Sequence, residues 1–199
     1  MTYSRKTQLT QRLLKQALIN LLKHKHFEEV TINEIAQEAY VTRSTFYRYY
    51  DDKYELLSDI EDEMLNFIKE QREFDLKSDE NIEVFEIRSI VNLFEKLEPY
   101  SEVLKVLLTN AGIISFKMKI RNLISKRFEF LSHISYGSKL RRELGKEYLI
   151  AIIVNTFEYW AQNKDEIDVE EIGQFIIEIY QSGMIKALNL KSEDLRKLN

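Results

Sequence analysis

A single proline, Pro99, and five glycines are spread over 199 residues, leaving the chain few places for the tight turns that a sheet requires. Leu, Ile, Lys and Glu instead recur at helical spacing, and no stretch keeps the alternation of a half-buried strand. The expected fold is therefore all-α. A hydrophobic content of 44% is enough for one or two domains with a real core. The longest unbroken apolar run, Tyr148 to Val154, falls far short of the roughly 20 residues of a membrane-spanning helix. The start, MTYSRKTQLTQR, has no apolar core of a secretory signal, so a cytoplasmic protein with no membrane partner is expected. The absence of cysteine excludes disulfides, thiolate zinc sites, cysteine nucleophiles and thiol redox sensing.

Helical periodicity predicts a first helix over residues 7–24, with Leu14, Ala17, Leu18, Leu21 and Leu22 as its core stripe. The arm before it, carrying Arg5 and Lys6, is either a phosphate or minor-groove contact or a frayed tail. A long helix follows over residues 53–72, with Leu56, Leu57, Ile60, Met64, Phe67 and Ile68 facing inward, and residues 73–81 gather turn formers as a linker. Further helices are expected at Ile82–Leu97, Tyr100–Asn110, Ile113–His133, Lys139–Asn163 and Val169–Leu188, with a solvated tail beyond.

The most informative stretch is residues 31–53, TINEIAQEAYVTRSTFYRYYDDK. Thr31 with Glu34 three residues on forms a capping-box pattern that starts a short helix bearing Ile32, Ile35, Ala36 and Ala39 on one face. Ala36 is small enough for a second helix to cross closely. Thr42 is a good N-cap for that second helix, Arg43 to Tyr50, with Phe46 and Tyr50 turned to the core. Its other face carries Arg43, Ser44, Thr45, Tyr47, Arg48 and Tyr49, the donors and acceptors needed for base edges and phosphates in a major groove. Residues 1–54 hold nine basic and six acidic side chains, a net +3, while the remainder carries −7. Only the first quarter of the chain is thus suited to a polyanion.

On these residues the chain resembles the tetracycline-repressor (TetR) family. The likeness rests on Thr7 at the first helix, Thr31-Ile32 with Ile35-Ala36 in the second, and Phe46-Tyr47-Arg48-Tyr49-Tyr50 with Lys53. His26 and Tyr40 stand where the family usually has glycine, and a left-handed backbone there costs on the order of 1 kcal/mol each. The resemblance implies an N-terminal three-helix helix-turn-helix domain, residues 1–53. It also implies a C-terminal helical bundle for ligand binding and dimerisation, residues 54–199, with about nine helices in all. The later region is similar, more loosely, to that of many TetR-like proteins of low-GC Gram-positive bacteria, through Tyr100 to Leu108, Tyr159-Trp160, Asn163 to Asp168 and Val169-Glu170-Glu171-Ile172.

Arg43 and Thr45 are expected on base edges, with Ser44 and Arg48 next, and Tyr47, Tyr49, Lys53 and Thr31 on phosphates; Thr42 completes the DNA-binding set. The resemblance also implies a cavity lined by Phe94, Tyr100, Leu104, Leu108, Phe116, Phe128, Phe157 and Trp160, with Asn155 or Glu158 as polar anchors. Aromatics at this spacing are more often plain core than pocket. The last two helices are apolar around most of their circumference and so need burial on two sides. A second copy is the expected cover, through Ile152, Tyr159, Ile172, Phe175, Ile176, Ile179, Tyr180 and Gly183, with Ser182-Gly183 letting backbones approach.

Enzymatic chemistry has little to stand on. Neither HExxH nor a Gly-rich phosphate loop is present. His24 and His26 sit where a helix ends, and Asp51-Asp52 and Glu170-Glu171 sit at helix starts, where they complement the dipole. No cofactor or metal is expected. The expected function is a homodimeric, sequence-specific transcription regulator, by default a repressor. Its partners are double-stranded operator DNA and either a small apolar or aromatic effector or a protein. The alternative is a co-regulator of the same fold that acts mainly through protein contacts.

Overall fold

The computed structural model describes residues 3–78, 87–110, 113–127 and 138–183. All regular structure among them is helical: α1 (Tyr3–Leu22), a 3-10 turn (Phe27–Glu29), α2 (Ile32–Glu38), α3 (Arg43–Phe46), α4 (Lys53–Ser78), α5 (Ile87–Leu97), a 3-10 turn (Glu98–Tyr100), α6 (Ser101–Thr109), α7 (Ser115–Arg127), α8 (Lys139–Asn163) and α9 (Val169–Ser182). None of these helices is long and apolar enough to cross a membrane. The chain divides into two compact units, Met1–Phe67 with Glu102–Ile150, and Ile68–Ser101 with Ala151–Asn199.

In the first unit, α1 packs on α2 and α2 on α3. Leu14, Leu18, Phe27, Ile35, Phe46 and Leu56 are fully buried, joined by Leu104, Leu107, Leu108 and Phe116 from α6 and α7. Burial of a side chain of this size stabilises by about 1.5–3 kcal/mol. Ion pairs tie the helices at their wet edges. Lys15 of α1 reaches Asp59 and Glu63 of α4 at 2.9 and 2.7 Å, and Lys23 reaches Glu102 of α6 at 3.2 Å. Glu61, a buried carboxylate on α4, meets the Lys119 ammonium at 2.9 Å and accepts from the Ser115 hydroxyl, both on α7. In the second unit, α5 packs along α9. The Phe94 ring lies 5.0 Å from that of Phe157 and 5.2 Å from that of Trp160.

Several boundaries differ from expectation. α1 starts at Tyr3 rather than Thr7, so the backbone of Arg5 and Lys6 is helical instead of an extended arm. Ile19 joins its buried stripe while Leu21 is half-buried. α4 runs on to Ser78, through most of the expected 73–81 linker, because nothing before Ser78 breaks the helix. α7 begins at Ser115 and α5 is described from Ile87. α8 spans the expected residues. The expected continuation of α9 past Gly183, the tail, His133 and Phe128 lie outside the described residues.

Candidate nucleic-acid interface

The sequence folds locally into a helix-turn-helix through two side-chain caps. Thr31 Oγ1 accepts from the Glu34 N–H at 3.3 Å, and the Glu34 carboxylate accepts from the Thr31 N–H at 2.9 Å, which completes the capping box of α2. Lys25 donates to the other Glu34 oxygen at 2.5 Å. Lys25, together with the Thr31 N–H and hydroxyl, holds the Glu34 carboxyl down to about 2. Between α2 and α3 the chain reverses at Tyr40, whose φ of 55° is left-handed and whose ring is 94% exposed. His26 by contrast is extended, at φ −71° and ψ 145°, so only one of the two replaced glycines is required to be left-handed.

Thr42 then caps α3, its Oγ1 accepting from the Thr45 N–H at 3.2 Å. The hydroxyls of Ser44 and Thr45 both lie 2.9 Å from that same oxygen. The expected helix over Arg43–Tyr50 is regular only to Phe46. Beyond it the Arg48 and Tyr49 amides bond three residues back, to Thr45 O and Phe46 O, a tightening typical of a short helix end. Phe46 and Tyr50 face the core as expected. The Tyr50 hydroxyl donates to Asp59 Oδ2 at 2.7 Å, and burial followed by that carboxylate pushes its pKa up.

Arg43, Ser44, Tyr47 and Arg48 share the exposed side of this segment with Thr42, while Thr45 and Tyr49 are half-buried. Arg43 donates to the Tyr47 hydroxyl at 3.2 Å and lies 5.5 Å from the centre of its ring. Positive charge, hydroxyls and an aromatic ring thus converge at one helix N-terminus that is not itself part of the core.

Lys53 departs from its expected place on a phosphate. Its ammonium donates to three backbone carbonyls, Phe27 O at 2.8 Å, Glu28 O at 2.9 Å and Val30 O at 3.0 Å, and lies 4.7 Å from the Phe27 ring centre. With three protons on three acceptors, this lysine closes the 3-10 turn. Asp52 Oδ1 accepts from the Tyr54 and Glu55 amides at 2.8 and 2.9 Å, so the Asp51-Asp52 pair does mark a helix start.

The residues expected to line a cavity are each described within their own unit. Phe94, Phe157 and Trp160 are buried ring against ring in the second unit, whereas Leu104, Leu108 and Phe116 are buried in the first. Tyr100 and Asn155 are exposed. Of the expected dimer residues, Tyr159 and Phe175 are exposed and Ile152, Ile172 and Ile179 are half-buried. Ile176 is already buried within its own chain, on the helix that packs along α5. Gly183 ends α9 at φ 78°, its N–H on Ile179 O at 3.0 Å, a backbone conformation that glycine adopts without steric cost. The Tyr180 side chain lies outside the described residues.

Asn110, which carries no motif, is the residue that sequence reasoning missed. From the end of α6 its Nδ2 donates to Leu22 O at 3.1 Å and Lys25 O at 2.8 Å, and its Oδ1 accepts from the Phe27 N–H at 3.3 Å.

A capped helix pair with a polar, cationic second N-terminus on a helical scaffold defines a helix-turn-helix. Residues 14–60 match the model of the tetR family of bacterial regulatory proteins. That is a family of transcription regulators and not of enzymes. An uncharacterized HTH-type transcriptional regulator of Bacillus subtilis, YxbF, is 39% identical over 51 residues, which span 26% of this chain and only 13% of that protein. The fold is similar to the crystal structure of a TetR transcriptional regulator from Streptococcus agalactiae 2603V, with a TM-score of 0.65, 19% identity and coverage of 88% of this chain and 96% of that one. It is also similar to Thermus thermophilus FadR, a TetR-family transcriptional repressor in complex with lauroyl-CoA, with a TM-score of 0.51, 20% identity and coverage of 87% and 94%. A further similar structure is the dihydroxyacetone kinase operon activator DhaS, with a TM-score of 0.50, 17% identity and coverage of 92% and 98%.

Proposed function

We propose that this chain is a cytoplasmic, homodimeric, one-component repressor that binds a roughly palindromic operator through two helix-turn-helix heads. Residues 1–53 form the reading domain and residues 54–199 the ligand-binding and dimerisation domain. The observation that carries this reading is the exposed face of Thr42, Arg43, Ser44, Tyr47 and Arg48 at the start of α3. Its donors are presented in the geometry that a major groove accepts. Arg43 and Thr45 read base edges, with Ser44 and Arg48 beside them, and Thr31, Tyr47 and Tyr49 hold phosphates. The two α3 segments of a dimer enter successive major grooves about 34–36 Å apart.

Exposed Tyr159 and Phe175 on α8 and α9 support a second copy as the cover for this face. The FadR relative binds an acyl-CoA, which supports a small apolar effector for this chain, acting on DNA affinity through a coupling of about 1–3 kcal/mol. A second reading, a co-regulator acting through protein contacts, is favoured by the exposed Tyr40 ring on the turn itself.

The test is fluorescence anisotropy of the full chain on its own upstream DNA against scrambled DNA across a salt series. Selective binding at two protomers per site, with a steep salt slope, is expected. Arg43→Ala should forfeit about 1–3 kcal/mol of that discrimination. Weak binding to both duplexes alike, unchanged in Arg43→Ala, would sink the DNA reading and make a protein partner the object of search.

A further inference from the structure

We infer that Asn110 is a positioning residue that fixes the orientation of the reading head, a role distinct from contact with DNA. The inference rests on the DNA-reading proposal above. α1 ends at Leu22, and its last carbonyls have no partner within the helix. Lys23, His24 and Lys25 close part of this end through Asn20 O and Leu21 O. The Leu22 and Lys25 carbonyls are instead satisfied by the Asn110 amide, from 88 and 85 residues away. The same side chain accepts from the Phe27 N–H, while Lys53 at the start of α4 takes the Phe27 carbonyl. One residue, Phe27, is therefore held at its N–H from α6 and at its C=O from α4. Its ring is buried under the Lys53 ammonium and packed edge-on by Tyr54 at 5.1 Å.

The 3-10 turn leads directly through Val30 to Thr31, the cap of α2, so a shift of α6 against α4 has to be taken up at Phe27 and passed to α2 and α3. The three backbone groups that Asn110 bonds, on Leu22, Lys25 and Phe27, all precede α2 and α3. Asn110 sets where the head points and leaves unaltered what the head reads. Affinity for a single half-site needs only the reading face. Affinity for a two-half-site palindrome needs both heads held at the right separation as well.

The experiment takes a palindrome selected by the wild-type chain from a randomised duplex pool. It then measures wild type, Asn110→Ala and Asn110→Asp on that palindrome, on an isolated half-site, and on palindromes with one to three base pairs inserted or deleted at the centre. Asn110→Ala is expected to bind the palindrome about tenfold more weakly, within the 5- to 150-fold range of such couplings, and to lose most spacing preference, with half-site affinity unchanged. Asn110→Asp keeps the acceptor for the Phe27 N–H and loses both donated bonds, so it should show the same pattern, and it stands in should the alanine variant fail to fold. Equal losses on half-site and palindrome would mark a merely structural residue and overturn the inference, as would an unchanged spacing preference. A wild-type chain that selects no duplex at all would overturn the DNA reading itself, and this inference with it.

Discussion

Tyr40 and Lys53 show how much a single side chain decides in this head. Residue 40 must be left-handed for α2 to turn into α3, and the first glycine of the chain is Gly112, so a tyrosine does what glycine does at no steric cost. Tyr40→Gly should stabilise the fold by on the order of 1 kcal/mol, read as a rise in Tm, since so exposed a ring loses little packing. An unchanged or lower Tm would mean that the tyrosine has a compensating contact. Lys53→Ala removes three charge-assisted bonds to carbonyls and should destabilise by about 2 kcal/mol. The salt slope of DNA binding should stay the same; a phosphate contact would instead reduce it by about one unit. The caps at Thr31 and Thr42 were legible because each involves residues within three positions. The roles of Lys53 and Asn110 were not, because their partners are backbone groups 23 to 88 residues away, and a backbone carbonyl leaves no letter in the sequence.

At the scale of elements, the helices follow their periodicity and differ from it where tertiary contacts intervene. α8 matches its expected span residue for residue, since its apolar pattern is long. α3 stops being regular at Phe46, since a four-residue helix has too few internal bonds to continue on its own. α2 is nearly as short, which makes its capping box the main local support. The folded Glu34 carboxyl sits at about 2 against an ordinary 4.5. The group is thus charged and bonded in the folded state above that range. Its contribution is fully present above pH 4.5 and is lost as the pH falls from there to about 2. Amide exchange of α2 should accelerate over that window in the wild type, and much less so in Glu34→Gln. Equal acceleration in both would place the acid sensitivity elsewhere.

For the whole molecule, the sequence signalled the two doubly apolar helices but not how their faces divide. Ile176, on α9, is buried within its own unit and leaves Tyr159, 64% exposed, and Phe175 as the outward residues. Periodicity alone cannot make that distinction, because both faces are equally apolar. If the proposed dimer uses this face, Tyr159→Asp should shift the chain from dimer toward monomer in sedimentation at micromolar concentration. It should also weaken palindrome binding in step while helix content holds. A Tyr159→Asp chain that sediments like the wild type would remove this face from the interface.

The dependence of α1 on Asn110 also has a temporal side. A ribosome completes the helix-turn-helix at residue 53 and adds another 57 residues before Asn110 is in place, an interval of roughly 3 to 11 s at ordinary elongation speeds. During that time the nascent head carries every residue of its reading face yet lacks the amide that closes its first helix. On the proposed reading, a newborn head has its reading face before it has the contact that sets its direction, and acquires that contact only once more than half of the chain has been made.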